Sequence, residues 1–233
     1  MKQIDSEKKL DKLKLRELLE TIYSNNTTEE INFISNQLLQ ILDDISEKSA
    51  YEEINNKVRW DETHSILITY ADSVYKNGES TLTTLRELLN KYFGSLSKVV
   101  HILPFLKSTS DGGFAVSSYE SLEEKFGNWG DLKSISQNHI LMADLVLNHV
   151  SSSHPWVQQF IKSQEPGLSN VYSPEQNLDW TKVTRPRSSS LFSQINTESG
   201  SKQVWTTFGP DQIDLNWQNQ KMTLEFLNLI INC

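Results

Sequence analysis

Residues 140–149 read Ile-Leu-Met-Ala-Asp-Leu-Val-Leu-Asn-His. Apart from Asp144, the run from Ile140 to Leu147 is apolar, and it ends on two polar residues. Apolarity without alternation predicts a strand covered on both faces, as in a parallel sheet. Two runs of the same kind lie upstream, His64-Ser-Ile-Leu-Ile-Thr-Tyr70 and Lys98-Val-Val-His-Ile-Leu-Pro-Phe105. Between them Leu82 to Phe93 has a helical period and ends at Gly94, where a left-handed cap is expected. Between the second and third runs, Tyr119 to Phe126, closed by Gly127, and a short stretch after Asp131 supply further helical signals. Strands alternating with helices predict β/α units on a parallel sheet.

Outward from this centre the pattern changes on both sides. Residues 1–60 lack punctuation, and Leu10, Leu13, Leu15, Leu18, Leu19 and Ile22 recur at helical spacing. Thr27 with Glu30 predicts a capping box opening a second helix, whose apolar stripe is Ile31, Ile34, Leu38 and Ile41. From Ser151 to about Gly209 the sequence turns to Ser, Pro, Asn and Gln with scattered aromatics, an irregular stretch whose length points to function. A last helix is predicted from Asn219. The expected organisation is a helical segment (1–60), the first part of a β/α barrel (61–150), an insert (151–216) and a final helix (217–233). A closed eight-stranded barrel needs about 250 residues, and only about three β/α units fit here.

Bulk properties narrow the function. A net charge of −8 disfavours nucleic acid or an anionic membrane as partner. Cys233 is the sole cysteine, so no intrachain disulfide is possible. No segment has the roughly 18 apolar residues of a membrane helix, and the first residues lack the apolar core of a signal peptide. A soluble cytoplasmic protein is the expectation.

In β/α barrels the reactive groups project from the carboxyl ends of the strands. That rule selects Tyr70 and Asp72 after the first strand, Asp111, Gly112, Gly113 and Phe114 after the second, and Asn148 and His149 after the third. Carboxylate, imidazole and aromatic ring suit a sugar, whose hydroxyls take hydrogen bonds while its apolar face stacks. By period alone a sugar pocket and an ordinary α/β domain both remain open.

Motifs add a resemblance. Asp144-Leu-Val-Leu-Asn-His149 resembles the first conserved region of the α-amylase superfamily, at the end of strand three. Gln212-Ile-Asp-Leu-Asn216 is similar to that superfamily's short motif at the far end of its B domain, and the irregular insert lies where that domain projects. Leu103-Pro-Phe105, Ser110-Asp-Gly-Gly-Phe114, Phe126-Gly-Asn-Trp129, Arg185-Pro-Arg187 and Val204-Trp-Thr-Thr-Phe208 resemble the sucrose phosphorylase and glucosylglycerate phosphorylase branch. The likeness runs from about Asp61 to the C-terminus, with every motif in order. It implies a partial (β/α)8 barrel with a B-domain insert after strand three.

The resemblance also implies a retaining glucosyl transfer. An Asp attacks the anomeric carbon, a Glu protonates the leaving oxygen, and phosphate takes the sugar from the enzyme as glucose 1-phosphate. Asp111 and His149 match positions that grip glucosyl hydroxyls. Phe114 matches an aromatic packed on the sugar, and Gln212 a residue on the acceptor side. Arg185 and Arg187 lie where the branch places cations near phosphate, which a guanidinium binds bidentately; a solvated turn around Pro186 is the alternative. Asp144 and Asp214 are expected to be structural, Asp144 by pairing with an Arg on strand four. Asn148 matches a calcium ligand of true amylases, yet this branch implies no metal. Inorganic phosphate enters as co-substrate, and no cofactor is implied.

The family nucleophile follows helix three in an Arg-x-Asp setting, and no Arg-x-Asp occurs after Gln212. Both reacting carboxylates are therefore expected beyond Cys233, with no catalytic residue inside this chain and no turnover by it alone. A hydrolase or transglucosidase of the same superfamily, or a non-catalytic sugar-binding remnant, are the alternatives.

Overall fold

The computed structural model describes residues 12–48, 65–94, 96–174, 179–185 and 187–231. Leu10, Asp61, His64, Pro186 and Cys233, which entered the sequence reading, lie outside them. The chain divides into two compact units, one built from residues 1–56 with 217–232 and the other from 57–216.

The first unit begins with helices α1 (Lys12–Ile22) and α2 (Thr28–Lys48). The predicted capping box opens α2: the Glu30 amide donates to the Thr27 hydroxyl at 3.3 Å, and the Thr27 amide donates to the Glu30 carboxylate at 2.8 Å. Leu19 and Tyr23 from the end of α1 bury against Ile31 and Ile34, with Leu15 and Leu38 alongside.

The second unit holds the strands. These are β1 (Ile66–Thr69), β2 (Val99–Ile102), β3 (Leu106–Ser108), β4 (Val116–Leu122) and β5 (Ile140–Ala143). The three predicted strands β1, β2 and β5 form one parallel sheet in that order. Helices α3 (Thr81–Leu88) and α4 (Trp129–Ser136) cover one face. Their Leu82, Leu85, Leu132 and Ile135 pack with Val100, Ile102, Leu67 and Leu141 in a single core. This is the opening portion of a β/α barrel, with three of its strands.

The expected burial on both faces holds only for β2. The registered pairs Ile66–Val99–Ile140 and Ile68–His101–Met142 lie on the face away from the helices. There Ile68 is 61% and Ile140 54% exposed. A barrel interior is filled by side chains converging from all its strands, and three strands fill only the middle. Asp144 falls one residue past β5. It bonds His101 on β2 at 3.0 Å.

Two helical expectations also change. The segment after α3 widens into a π turn, Leu89–Phe93, and Gly94 keeps a right-handed φ of −56°. Chain reversal comes instead from the Ser97 and Leu96 amides donating to the Phe93 carbonyl. Tyr119–Phe126 is no helix, because its first half, up to Leu122, belongs to β4, paired antiparallel with β3, and a turn follows. Two register shifts in this hairpin bring Val116, Tyr119 and Leu122 to the buried side. Bulges thus turn the period of two into a period near three, which mimics a helix in sequence. The helix starts later, at Asn128, with its own capping box to Asp131.

The insert is more ordered than its composition suggested. It contains β6 (His149–Ser151), α5 (Pro155–Ile161), α6 (Gly167–Asn170), the hairpin β7 (Phe192–Thr197) and β8 (Gly200–Trp205), and β9 (Gln212–Asp214). Strand β6 pairs antiparallel with β9, so the two ends of the insert are stitched together: His149 faces Asp214 and Ser151 faces Gln212. The last helix, α7 (Gln220–Ile231), opens on the Asn219 side chain, which accepts from the Lys221 amide at 3.1 Å. It belongs to the first unit, where Thr223 bonds the Tyr23 hydroxyl at 2.8 Å. No helix among the described residues is long and apolar enough to cross a membrane.

Candidate functional site

A cleft of about 530 Å³ opens at the carboxyl ends of the strands, lined by Tyr70, Asp111, Gly112, Phe114, His149, Arg187, Phe208 and Gln212. Each segment arrives there for a local reason. Tyr70 directly follows β1. Asp111 sits in the tight turn Asp111–Gly113 after β3, with a left-handed φ of 55°. That conformation strains a residue with a Cβ, and hydrogen bonds from its neighbours hold it in place. His149 begins β6 and Gln212 begins β9, so the β6–β9 ladder fixes their spacing.

Three of the predicted residues form a connected polar group. The Gln212 amide nitrogen donates to the Asp111 carboxylate at 2.9 Å and lies 3.0 Å from His149 Nε2. The same Nε2 is 3.2 Å from the Phe114 carbonyl oxygen. These two neighbours ask for opposite protonation of Nε2. At the ring's other nitrogen, Nδ1, the Asn148 amide nitrogen lies 3.4 Å away. Burial pushes the His149 pKa down, against the pull of Asp214, the Phe114 carbonyl and Asp111, so the ring is neutral at pH 7. Phe208 closes one side, its ring centroid 5.0 Å from that of His149.

The two arginines part company. Arg187 lines the cleft, with its guanidinium 5.9 Å from the Phe208 ring centroid. Arg185 does not: its Nη1 donates to the Thr207 carbonyl at 2.8 Å and reaches the Thr206 carbonyl at 3.5 Å. Asp72 also stands apart, paired with Lys125 at 2.9 Å in a neighbouring depression. Asp214 is buried and accepts from the Thr207 amide at 3.0 Å and hydroxyl at 2.6 Å. Burial raises its pKa in spite of hydrogen bonds from Thr207 and Asn148. Those contacts make it an internal strut between the insert and the His149 strand. Among the described residues no group of three or more His, Cys, Asp or Glu side chains is placed to hold a metal ion.

Two contributors were not singled out from sequence. Phe208 appears there only as the end of a motif. Asp211 accepts hydrogen bonds from Thr109 and Ser110, which precede Asp111, and from Ser152. Its partners lie 102, 101 and 59 residues away along the chain, a separation that no local pattern signals. The nearest clue is the pair of hydroxyl clusters at 108–110 and 151–153, each able to donate to a shared acceptor.

Residues 76–232 match the family model described as alpha amylase, catalytic domain. The chain belongs to the alpha-amylase family. Within the family it is 40% identical over 172 residues to the glucosylglycerate phosphorylase of Allomeiothermus silvanus, covering 74% of this chain and 31% of that protein. To the glucosylglycerate phosphorylase of Spirochaeta thermophila it is 34% identical, covering 94% and 37%. The solved structure of sucrose 6F-phosphate phosphorylase from Thermoanaerobacter thermosaccharolyticum superposes with a TM-score of 0.63 at 32% identity, covering 72% of this chain and 36% of that one. The chain thus spans about a third of the length of the relatives it matches. The alpha-amylase match takes in Asp111, Phe114, His149, Arg185, Arg187 and Gln212.

Proposed function

We propose that the cleft is the glucosyl-binding part of a retaining glucoside phosphorylase, a cytoplasmic enzyme that converts an α-glucoside and inorganic phosphate into glucose 1-phosphate. The observation that supports it is the connected group Asp111–Gln212–His149 facing an aromatic wall of Phe114, Phe208 and Tyr70. Asp111 offers an anionic acceptor for sugar hydroxyls, and the Gln212 side-chain oxygen offers a second acceptor. The rings cover the apolar face of the sugar. Arg187 offers a cation at the mouth, suited to an oxyanion such as phosphate.

Two-step transfer requires a second carboxylate about 5–5.5 Å from the first across the scissile bond. Among the described residues Asp111 is the one carboxylate that lines the cleft, and Asp214 is spent on Thr207. Attack on the anomeric carbon and protonation of the leaving oxygen are therefore assigned to residues outside this chain. The chain alone should release no glucose 1-phosphate from sucrose or glucosylglycerate. Fused to the C-terminal two-thirds of the Spirochaeta thermophila relative, it should do so only when phosphate is present. Phosphate-dependent release by the chain alone, or phosphate-independent hydrolysis by the fusion, would overturn the proposal.

A further inference from the structure

The carboxylate of Asp211 accepts from Thr109 Oγ1 at 2.6 Å, from Ser110 Oγ at 2.7 Å and from Ser152 Oγ, and its carbonyl accepts from the Ser152 amide at 3.0 Å. Thr109 also bonds the Ser151 hydroxyl at 2.6 Å. One side chain therefore joins three segments: the turn that presents Asp111, the start of the insert, and the strand that presents Gln212. Gln212 takes hold of the Asp111 carboxylate, while Asp211, in the turn just before β9, takes hold of the two residues that precede Asp111. Asp111 needs such restraint, because its backbone is left-handed at φ 55° without being glycine. Within the turn the Gly113 and Ala115 amides each donate to the Ser110 carbonyl at 3.3 Å, the Phe114 amide donates to the Asp111 carbonyl at 3.2 Å, and the Thr109 amide donates to the Ala115 carbonyl at 3.0 Å.

We infer that Asp211 is a positioning residue for the cleft, latching the Asp111 turn to both ends of the insert so that the sugar-facing carboxylate is preorganised. The consequence for glucose affinity rests on the proposed function; the latch itself does not. Although burial works to raise it, hydrogen bonds from Ser152, Thr109 and Ser110 hold the Asp211 carboxyl below its ordinary pKa. It is thus an anion at neutral pH, the form that accepts from three hydroxyls at once.

The test compares the full chain with Asp211→Asn, Thr109→Val and Ser110→Ala by NMR. Without ligand, D211N should raise amide exchange at Gly113, Phe114 and Ala115 by about tenfold and shift the Asp111 Cα and Cβ signals from left-handed toward extended values, leaving Val100 and Ile213 unchanged. T109V and S110A, which each remove one donor, should do the same to a smaller degree and serve if D211N does not fold. Glucose is then titrated into each form, and its half-saturation concentration should rise at least about fivefold in D211N. Unchanged exchange and Asp111 shifts in the folded variants would overturn the latch. Loosening of the turn in a chain that gives no response to glucose would support the latch and overturn the sugar reading.

Discussion

Gly113 stands where no other residue fits. Its φ is +105°, and a Cβ built there would lie 2.6 Å from the Pro104 carbonyl oxygen and 2.8 Å from Pro104 Cβ. Backbone meets backbone here, so the contact has no flexible side chain to move aside. Gly113→Ala should cost at least about 2 kcal/mol in urea unfolding and displace Asp111 with it. Buried histidines give the residue scale a second test. Burial depresses the His154 pKa from 6.5 to about 4, and its Nδ1 accepts from the Trp156 amide at 3.2 Å to cap α5. Between those two values the unfolded chain binds more protons. Stability that is complete above pH 6.5 is therefore lost as pH falls, and the loss levels off below about pH 4. The magnitude is of order 3 kcal/mol, since each tenfold change in proton affinity is worth about 1.36 kcal/mol. His149 is depressed in the same direction. His154→Asn retains a capping acceptor, so urea midpoints measured from pH 7 to pH 4 should fall less steeply for it than for the parent. Equal slopes would remove His154 from this account.

At the scale of elements, local chemistry and long-range pairing differ in how far the sequence reveals them. Capping boxes are local, and Thr27 with Glu30 was legible because all its atoms lie within four residues. The three parallel strands were legible from their unbroken apolar runs. Strand β4 was not, since register shifts in its hairpin place Val116, Tyr119 and Leu122 three apart on the buried side. The insert hid its structure for another reason. Its hairpin, β7 with β8, has strands rich in Ser, Gln, Asn, Lys and Thr, with Val204 alone fully buried, so no apolar alternation marks them. The helix that follows the β3–β4 hairpin, α4, depends on Asn128, whose side chain accepts from the Gly130 amide at 2.8 Å. Asp131 returns the bond to the Asn128 amide and also accepts from Thr83 of α3 at 3.0 Å. Asn128→Ala should lower stability by about 1 kcal/mol in chemical denaturation. A change within experimental error would mean that tertiary packing alone sets the start of α4.

On the scale of the whole molecule, strands and insert have distinct tasks. The parallel sheet delivers Tyr70 and the turn at Asp111 to one rim, and the β6–β9 ladder delivers His149 and Gln212 to the same rim from the insert. Sequence motifs named Asp111, Phe114, His149 and Gln212 as sugar-facing, and these four line one cleft. They were legible because each belongs to a short motif with its own spacing. The separation of Arg187 from Arg185 was not legible, because it depends on which guanidinium meets the carbonyls of Thr206 and Thr207. Nor was Asp211, whose bonding partners are joined to it only by the folded chain.

The central claim is that this chain by itself contains one half of a glucosyl pocket. Titration of glucose into the isotope-labelled chain, followed by two-dimensional NMR, tests it most directly. The account predicts weak, saturable shifts in the millimolar range, concentrated at Asp111, Phe114, His149 and Gln212 and abolished in Asp111→Ala. Saturable shifts centred elsewhere, or none at glucose concentrations well above millimolar in the folded chain, would contradict it.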